Sequence, residues 1–320
     1  MNLTHGQQVL LVSLIGAGTL TAAITWLLAR VRSGGTVIRD QGPKHHRAKA
    51  STPSTGGIAF MIALALVGSY GAVAMTDPHG IVAVAGGLLT GLIGFADDAL
   101  KRARQDSAGL KARYKLSLQI VVGFLIAAAT YYLLEDDTVR IPFAHVTVHL
   151  GMWKVLLGLF CYLTIVNGVN LTDGIDGLAG TTALIAAACL GGAVWTSGIG
   201  SAIAPVVLMG ICAGFLPFNW HPAKIFMGDS GAFCLSGTLV AAAIALGMEI
   251  SLLIIGLIFI IELVSVVLQV VYFRLTGGKR LFRMSPIHHA WELRGAKEPA
   301  IVSGFAAVGI VAGAIGWWAS

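Results

Sequence analysis

The chain of 320 residues is strongly apolar: 56% of its residues are hydrophobic, only 11% are charged, and its mean hydropathy is +0.83. Soluble globular domains contain about 25% charged residues, so this composition argues against a soluble protein. The formal net charge of +6 at pH 7 comes mainly from basic residues that lie between the apolar segments.

Apolar segments of the length needed to cross about 30 Å of hydrocarbon recur along almost the whole chain. We predict an all-α polytopic membrane protein with about ten transmembrane helices, in a single integral-membrane domain over residues 1–320. The predicted spans are 8–30, 57–75, 80–98, 116–134, 152–169, 178–196, 202–218, 231–247, 250–273 and 300–318. A signal peptide is the alternative for the first, but its length and its basic end "ARVRSGG" favour a retained helix. Glycines at small-residue spacing in "GGLLTGLIG" predict close packing between helices.

The loops between the predicted spans alternate in charge. All but two of the 21 Lys and Arg residues lie in the loops 30–56, 99–115, 170–177, 219–230 and 274–299. Because basic loops stay on the cytoplasmic side of a membrane, we expect both termini to be extracytoplasmic. On that outer side, alternation of apolar and polar residues over 136–151 predicts a short β-hairpin.

Polar residues of unusual type gather in the loops predicted to be cytoplasmic, which favours an enzyme with a water-soluble substrate over a transporter. In "GFADDALK", Asp97 and Asp98 end the third span, and Lys101 follows at helical spacing within reach of both. The simpler interpretation is a solvated helix end with one salt bridge, which accounts for one aspartate and the lysine. The second aspartate favours a site for a divalent cation or a phosphate, because a cation offsets the repulsion between paired carboxylates.

The segment "NLTDGIDG" carries Asn170, Asp173 and Asp176 three residues apart, so that one helical turn would present them together. Gly174 and Gly177 permit a tight turn or a close approach of the backbone. This set suits recognition of a nucleobase or ribose, or binding of a metal. A helix N-cap is the simpler alternative, but it needs only one of these residues.

Two further loops carry candidate functional residues. In "PAKIFMGDSG", Asp229 is a candidate magnesium ligand, with a helix cap as the alternative, and Phe226 offers a ring for base stacking. In "PIHHAWEL", His288 and His289 lie among arginines and suit pyrophosphate binding, with a lipid-headgroup contact as the alternative. Glu262, within the ninth span, suggests a buried polar partner and is placed outside the site.

Five segments together resemble the polyprenyl-phosphate N-acetylhexosamine-1-phosphate transferases, most closely their muramoyl-peptide branch: "KASTPSTGG", "GFADDALK", "NLTDGIDGLA", "FNWHPAKIFMGDSG" and "FRMSPIHHAWELRG". The resemblance implies ten transmembrane helices, a homodimer, Mg²⁺ as cofactor and a cytoplasmic active-site cleft in the bacterial inner membrane. The implied partners are UDP-N-acetylmuramoyl-pentapeptide, undecaprenyl phosphate and membrane lipids, with no nucleic acid. The implied products are lipid I and UMP.

The resemblance also implies roles for individual residues. Asp97, Asp98, Asp229 and His288 are expected to be catalytic, with Asp229 as the magnesium ligand. The expected substrate-binding residues are Lys49, Ser54, Lys101, Lys115, Asn170, Asp173, Asp176, Phe226 and His289, with Arg113 as the alternative to Lys115 in handling phosphate. Among these, Phe226 is expected to stack on uracil.

The sequence departs from the family pattern at three places. Ala290 stands where the family has a third histidine, Thr55 where it usually has methionine, and "AFCLSG" replaces the common Leu-Gly-Gly pattern after the metal motif. These differences bear on how the sugar is held and leave a sister enzyme that transfers N-acetylglucosamine-1-phosphate as the alternative. A transporter or lipid-binding protein is a third hypothesis, and one-step and covalent two-step transfer both remain open.

Overall fold

The computed structural model describes residues 3–31, 51–105, 109–197 and 202–320, which form a helical bundle with one two-stranded sheet. The helices are α1 (His5–Val31), α2 (Gly56–Ala63), α3 (Ser69–Ala74), α4 (Pro78–Arg104), α5 (Ala112–Leu133), α6 (Trp153–Thr172), α7 (Leu178–Ser197), α8 (Ile203–Asn219), α9 (Gly228–Ala245), α10 (Glu249–Ile255), α11 (Leu257–Leu275), α12 (Ile287–Glu292) and α13 (Glu298–Ala319). The strands are β1 (Thr138–Ile141) and β2 (Val146–His149).

Ten apolar helical segments follow the ten predicted spans. Nine helical segments within the described ranges are long and apolar enough to cross a membrane, and α8 is a shorter apolar helix of 17 residues. In the second span, α2 and α3 are joined by a π-helical turn over Leu64–Gly68. The ninth predicted span, 250–273, is divided at Gly256 into α10 and α11. These segments confirm the polytopic membrane class.

Helix α4 extends beyond the predicted end of the third span. The sequence analysis placed Asp97 and Asp98 at that end, whereas α4 continues to Arg104 and ends at Gln105 in the left-handed conformation. The segment "KRAR" consists of strong helix formers whose positive charges suit a helix C-terminus, so the helix continues past Asp98. The two aspartates therefore project from a continuous helix whose last turn is hydrophilic.

The predicted close packing occurs between α4 and α9. A Cβ atom at Gly87 would lie 1.9 Å from Thr238 Oγ1, and one at Gly94 would lie 2.2 Å from the backbone oxygen of Asp229. Only residues without a side chain allow two helix backbones to approach this closely. The contact at Gly94 joins the C-terminal part of α4 to the first turn of α9, and this is where the acidic residues meet.

The predicted β-hairpin is present at the other end of α9. Thr138 pairs with His149 in an antiparallel ladder, confirming the expectation for 136–151. Arg140 N–H donates to the Gly247 carbonyl at 2.9 Å, and Phe143 N–H donates to the Ala319 carbonyl at 2.9 Å. The hairpin therefore packs against the C-terminal end of α9 and of α13. Since α9 has 18 residues, it separates the hairpin from Asp229 by about 27 Å.

Candidate active site

Three aspartates from two helices meet where α4 crosses the start of α9. Asp97 and Asp98 lie on α4, and Asp229 is the second residue of α9. One carboxylate oxygen from each lies within 4.8 Å of the others. Asp97 and Asp98 are buried, whereas the Asp229 side chain is 17% exposed. Three carboxylates that are far apart in the sequence therefore form one cluster, with Asp229 its most accessible member.

Asp98 fixes the first turn of α9. Its Oδ1 accepts a hydrogen bond from Asp229 N–H at 3.2 Å, and its Oδ2 accepts one from Ser230 N–H at 2.9 Å. These N–H groups lie at the positive end of the helix dipole, where a carboxylate is stabilised. Gly228 has φ +68°, and a Cβ atom there would lie 2.7 Å from Asp98 Oδ2. Asp98 thus ties α4 to α9 and sets the position of Asp229.

Two lysine ammonium groups lie among the three carboxylates. Lys101 Nζ is 2.6 Å from Asp97 Oδ2, 3.0 Å from Asp229 Oδ2 and 4.0 Å from Asp98 Oδ1, as the helical spacing of Lys101 predicted. Lys115 Nζ, from α5, is 2.5 Å from Asp229 Oδ2 and 3.6 Å from Asp97 Oδ2. The side chains of both lysines are about one-fifth exposed. Their charges offset the repulsion that would otherwise separate the aspartates.

A loop and a neighbouring helix complete the surroundings of the cluster. Leu110 N–H donates to Asp97 Oδ1 at 2.7 Å, from a loop that turns at Gly109 with φ +54°. Asn170 Nδ2, near the end of α6, donates to Asp229 Oδ1 at 3.1 Å. Asn170 was predicted from the sequence as a binding residue, and the structure places it beside the candidate metal ligand.

The segment around Ser54 lies on the other side of Gly228. A Cβ atom at Gly228 would lie 2.8 Å from Ser54 Oγ. Phe226 N–H donates to the Pro53 carbonyl at 2.8 Å, and Gly56 N–H donates to the Phe226 carbonyl at 2.9 Å. Ser54 and the partly exposed Phe226 therefore border the aspartate cluster. Lys49 lies outside the described residues.

The residues of "NLTDGIDG" do not share one helical turn, and that expectation is wrong because α6 ends at Thr172. Asn170 stays on the helix, whereas Asp173 follows its end with ψ +52°. Asp173 is partly buried, and loss of solvent, followed by the negative charges of Asp229 and Asp98, raises the pKa of its carboxyl to about 8. Asp173 can therefore hold a proton at neutral pH.

Asp176 belongs to a second cluster that the sequence analysis missed. Its Oδ2 accepts a hydrogen bond from Ala223 N–H at 3.0 Å and lies 3.0 Å from His221 Nδ1. Its own N–H donates to Glu298 Oε2 at 2.9 Å, which ties the loop to the first turn of α13. Glu298 lies 122 positions from Asp176, and no local pattern in the sequence relates the two.

The paired histidines lie on α12 and have different partners. His288 is buried, with its Nδ1 3.1 Å from Oε2 of the buried Glu262. His289 Nδ1 lies 2.5 Å from Glu292 Oε2, and the two imidazole ring centroids are 4.1 Å apart. A Cβ atom at Gly174 would lie 2.2 Å from His288 Nε2. The histidines therefore pack on the loop that holds Asp173, and Glu262, which sequence reasoning placed outside the site, contacts one of them.

Comparison with known proteins relates the sequence of this chain to one group of enzymes. Residues 80–247 match the sequence model of glycosyl transferase family 4. Three relatives carry the name phospho-N-acetylmuramoyl-pentapeptide-transferase. The protein of Desulforamulus reducens is 43% identical over 285 residues, 87% of this chain and 85% of its own. That of Bacillus velezensis is 37% identical over 320 residues, 97% of each chain. That of Listeria monocytogenes is 41% identical over 283 residues, 87% of this chain and 86% of its own.

Proposed function

The chain belongs to glycosyl transferase family 4 and, within it, to the phospho-N-acetylmuramoyl-pentapeptide-transferases, and from this membership we propose its reaction. It transfers phospho-N-acetylmuramoyl-pentapeptide from its UDP donor to undecaprenyl phosphate, giving lipid I and UMP, the first membrane step of peptidoglycan synthesis. An oxygen of the lipid phosphate bonds to the β-phosphorus of the donor, and the bond to the UMP oxygen breaks. The meeting of Asp97, Asp98 and Asp229 beside two lysines is the observation that carries this proposal.

The aspartate cluster fits a magnesium ion. Its donor atoms are all carboxylate oxygens, the ligands that hard divalent cations prefer. Lys101 Nζ lies within 4.0 Å of an oxygen of each aspartate, so the cluster already favours positive charge at its centre. Asp229, the most exposed of the three, would hold the ion, with Asp97 and Asp98 beside it. Bound Mg²⁺ supplies the charge that stabilises the leaving UMP.

The lysines and Asp97 have distinct tasks in this reaction. Donor and acceptor are both anionic, and the ammonium groups of Lys101 and Lys115 lower their repulsion at the cluster. Asp98 is engaged by two backbone N–H groups and serves to position α9. Asp97 Oδ2 faces the lysine ammonium groups, which makes Asp97 the better placed carboxylate to orient the lipid phosphate or accept its proton.

Binding of the nucleotide is assigned to the surrounding loops. Asn170 and Asp173 lie at the end of α6 beside Asp229, and the partly exposed ring of Phe226 is available to stack on uracil. Ser54 borders the same cluster, and His288 and His289 pack against the Asp173 loop. Asp176 contributes by holding this loop to α13. The role expected for Lys49 rests on the family resemblance alone.

The placement of the enzyme follows from its charge pattern and its family. The loops that hold the cluster are the basic ones, so we propose that the active-site cleft faces the cytoplasm from the bacterial inner membrane and that both termini are extracytoplasmic. A single membrane domain and a homodimer are proposed from the family resemblance.

An assay of UMP release tests the proposal directly. Purified protein in detergent receives undecaprenyl phosphate, Mg²⁺ and one donor at a time, either UDP-N-acetylmuramoyl-pentapeptide or UDP-N-acetylglucosamine. We expect UMP only with the first donor. Release with the second donor alone would assign the sister reaction, and no release with either would favour a transporter or lipid-binding protein.

A further inference from the structure

Glu262 is a buried carboxylate in a membrane-spanning helix, and the proposed chemistry does not use it. It lies on α11 with no exposed surface. Within the part of the chain that the structure describes, no hydrogen bond from a well-aligned donor reaches either of its oxygens. An ionisable side chain in such a place is costly unless another group compensates it. The compensating group is His288, whose Nδ1 lies 3.1 Å from Glu262 Oε2.

The opposite edge of the His288 ring meets the candidate nucleotide-binding loop. A Cβ atom at Gly174 would lie 2.2 Å from Nε2 and 2.8 Å from Cε1 of His288, so the ring packs directly on the Gly174 backbone. Gly174 follows Asp173, whose carboxyl lies in the field of Asp229. His288 therefore lies between α11 on one side and the Asp173 loop on the other.

We propose that Glu262 is a positioning residue that acts through His288. Its carboxylate accepts from Nδ1–H of the imidazole and so keeps the proton on Nδ1, leaving Nε2 directed at the Asp173 loop. Carboxylates orient histidines in this way at metal centres and in catalytic dyads. His289 has its own carboxylate, Glu292, at 2.5 Å, so each imidazole of the pair has a separate acidic partner. The measurement of kcat that tests this inference rests on the proposed function, whereas the measurement of the imidazole spectrum does not.

Replacement of Glu262 by leucine separates positioning from folding. The leucine side chain removes a buried ionisable group but leaves Nδ1 of the buried His288 without its partner, so we expect the melting temperature of Glu262→Leu to lie below that of the wild type. We expect its kcat to fall at least tenfold while its KM for the UDP donor changes less than threefold. The kcat is therefore expressed per folded molecule, with the folded fraction measured in the same detergent, because a residue that only supports the fold would not lower kcat per folded molecule.

Glu249 offers a matched control. It is also a glutamate with no exposed surface, at the start of α10, near the hairpin end of the bundle. Glu249→Leu makes the same chemical change away from His288, and we expect its kcat to stay within twofold of the wild type.

The double variant and the imidazole spectrum decide the proposal. If Glu262 acts through His288, Glu262→Leu combined with His288→Gln has the same kcat as His288→Gln alone. In ¹⁵N spectra of histidine-labelled protein, the His288 signal is identified as the one that is absent from His288→Gln. We expect this signal to show a protonated Nδ1 in the wild type and a mixture of the two tautomers in Glu262→Leu. Independent losses of kcat, or an unchanged His288 spectrum, would overturn the proposal. If the leucine variant does not fold, Glu262→Gln enters the same comparisons. The spectrum needs no substrate, so failure of the proposed reaction is recognised separately.

Discussion

The contact of α4 with α9 at Gly94 predicts that a single methyl group there will disable the enzyme. In Gly94→Ala, the new Cβ atom would lie 2.2 Å from the backbone oxygen of Asp229. Backbone cannot move aside as a flexible side chain can, so the helices must separate by about 1.2 Å to reach an ordinary contact of 3.4 Å. The movement would stretch the two hydrogen bonds from the start of α9 to Asp98, now 3.2 and 2.9 Å, beyond hydrogen-bonding distance.

The expected loss of activity exceeds the expected loss of stability. A displacement of about 1 Å between catalytic groups lowers turnover by about 100-fold, and in Gly94→Ala the proposed catalytic residues Asp97 and Asp98 move away from Asp229. Overpacking of a tight contact costs about 1–3 kcal/mol of folding free energy, so most of the protein should remain folded. The assay is UMP release at saturating donor and acceptor, together with the melting temperature in the same detergent.

Gly304 supplies the control for this substitution. It lies on α13, where a Cβ atom would meet nothing within 4 Å, and Gly304→Ala should leave both turnover and melting temperature near those of the wild type. If Gly94→Ala is folded and turns over within threefold of the wild type, the close approach of α4 to α9 does not position the site.

Four further outcomes follow from the same geometry. Asp229→Asn should lower kcat by about 1000-fold or more, about 4 kcal/mol in the barrier, whereas Asp137→Asn on the exposed hairpin should leave kcat unchanged in the same assay. Chelation by EDTA should abolish UMP release and added Mg²⁺ should restore it, which a metal titration measures. Gly174→Ala should displace the buried ring of His288 and lower turnover, while Gly304→Ala does not. In metal-free protein, folded Asp173 keeps a proton up to about pH 8, whereas the unfolded chain releases it near pH 3.8. The folded state therefore loses stability as pH rises between these values, by at most about 1.4 kcal/mol per pH unit, and melting curves of Asp173→Asn should lack this part of the decline.

Features governed by short-range periodicity were predictable from the sequence. Hydropathy placed the spans because each must cross the same thickness of hydrocarbon, and small-residue spacing indicated the glycine-rich face of α4. Helical spacing gave the contact of Lys101 with Asp97. The end of α6 was harder, because the change from a helical to a turn conformation after Thr172 alters which way Asp173 and Asp176 face.

Contacts between distant segments were not predictable in the same way. Glu262 and His288 come from different helices, and Asp176 meets the first residue of α13 only because the bundle packs α7 against α13. Family resemblance pointed to Lys115, but its position between Asp229 and Asp97 depends on how α5 packs beside α4. Such pairs are set by tertiary packing, which a one-dimensional pattern does not encode.

Charge balance at the cluster explains why these distant contacts are needed together. Counted at their formal charges, the three aspartates and two lysines leave one negative charge, and the raised pKa of Asp173 keeps its carboxyl from adding a second near pH 7. A divalent cation changes that balance to one positive charge, which favours the entry of two anionic substrates. With one lysine fewer, the metal-free cluster would carry two uncompensated negative charges. With one lysine more, the added ammonium group would compete with a metal for the carboxylates. The spacing of Lys101 on α4 and the packing of α5 that brings in Lys115 therefore limit the metal-free cluster to one formal negative charge.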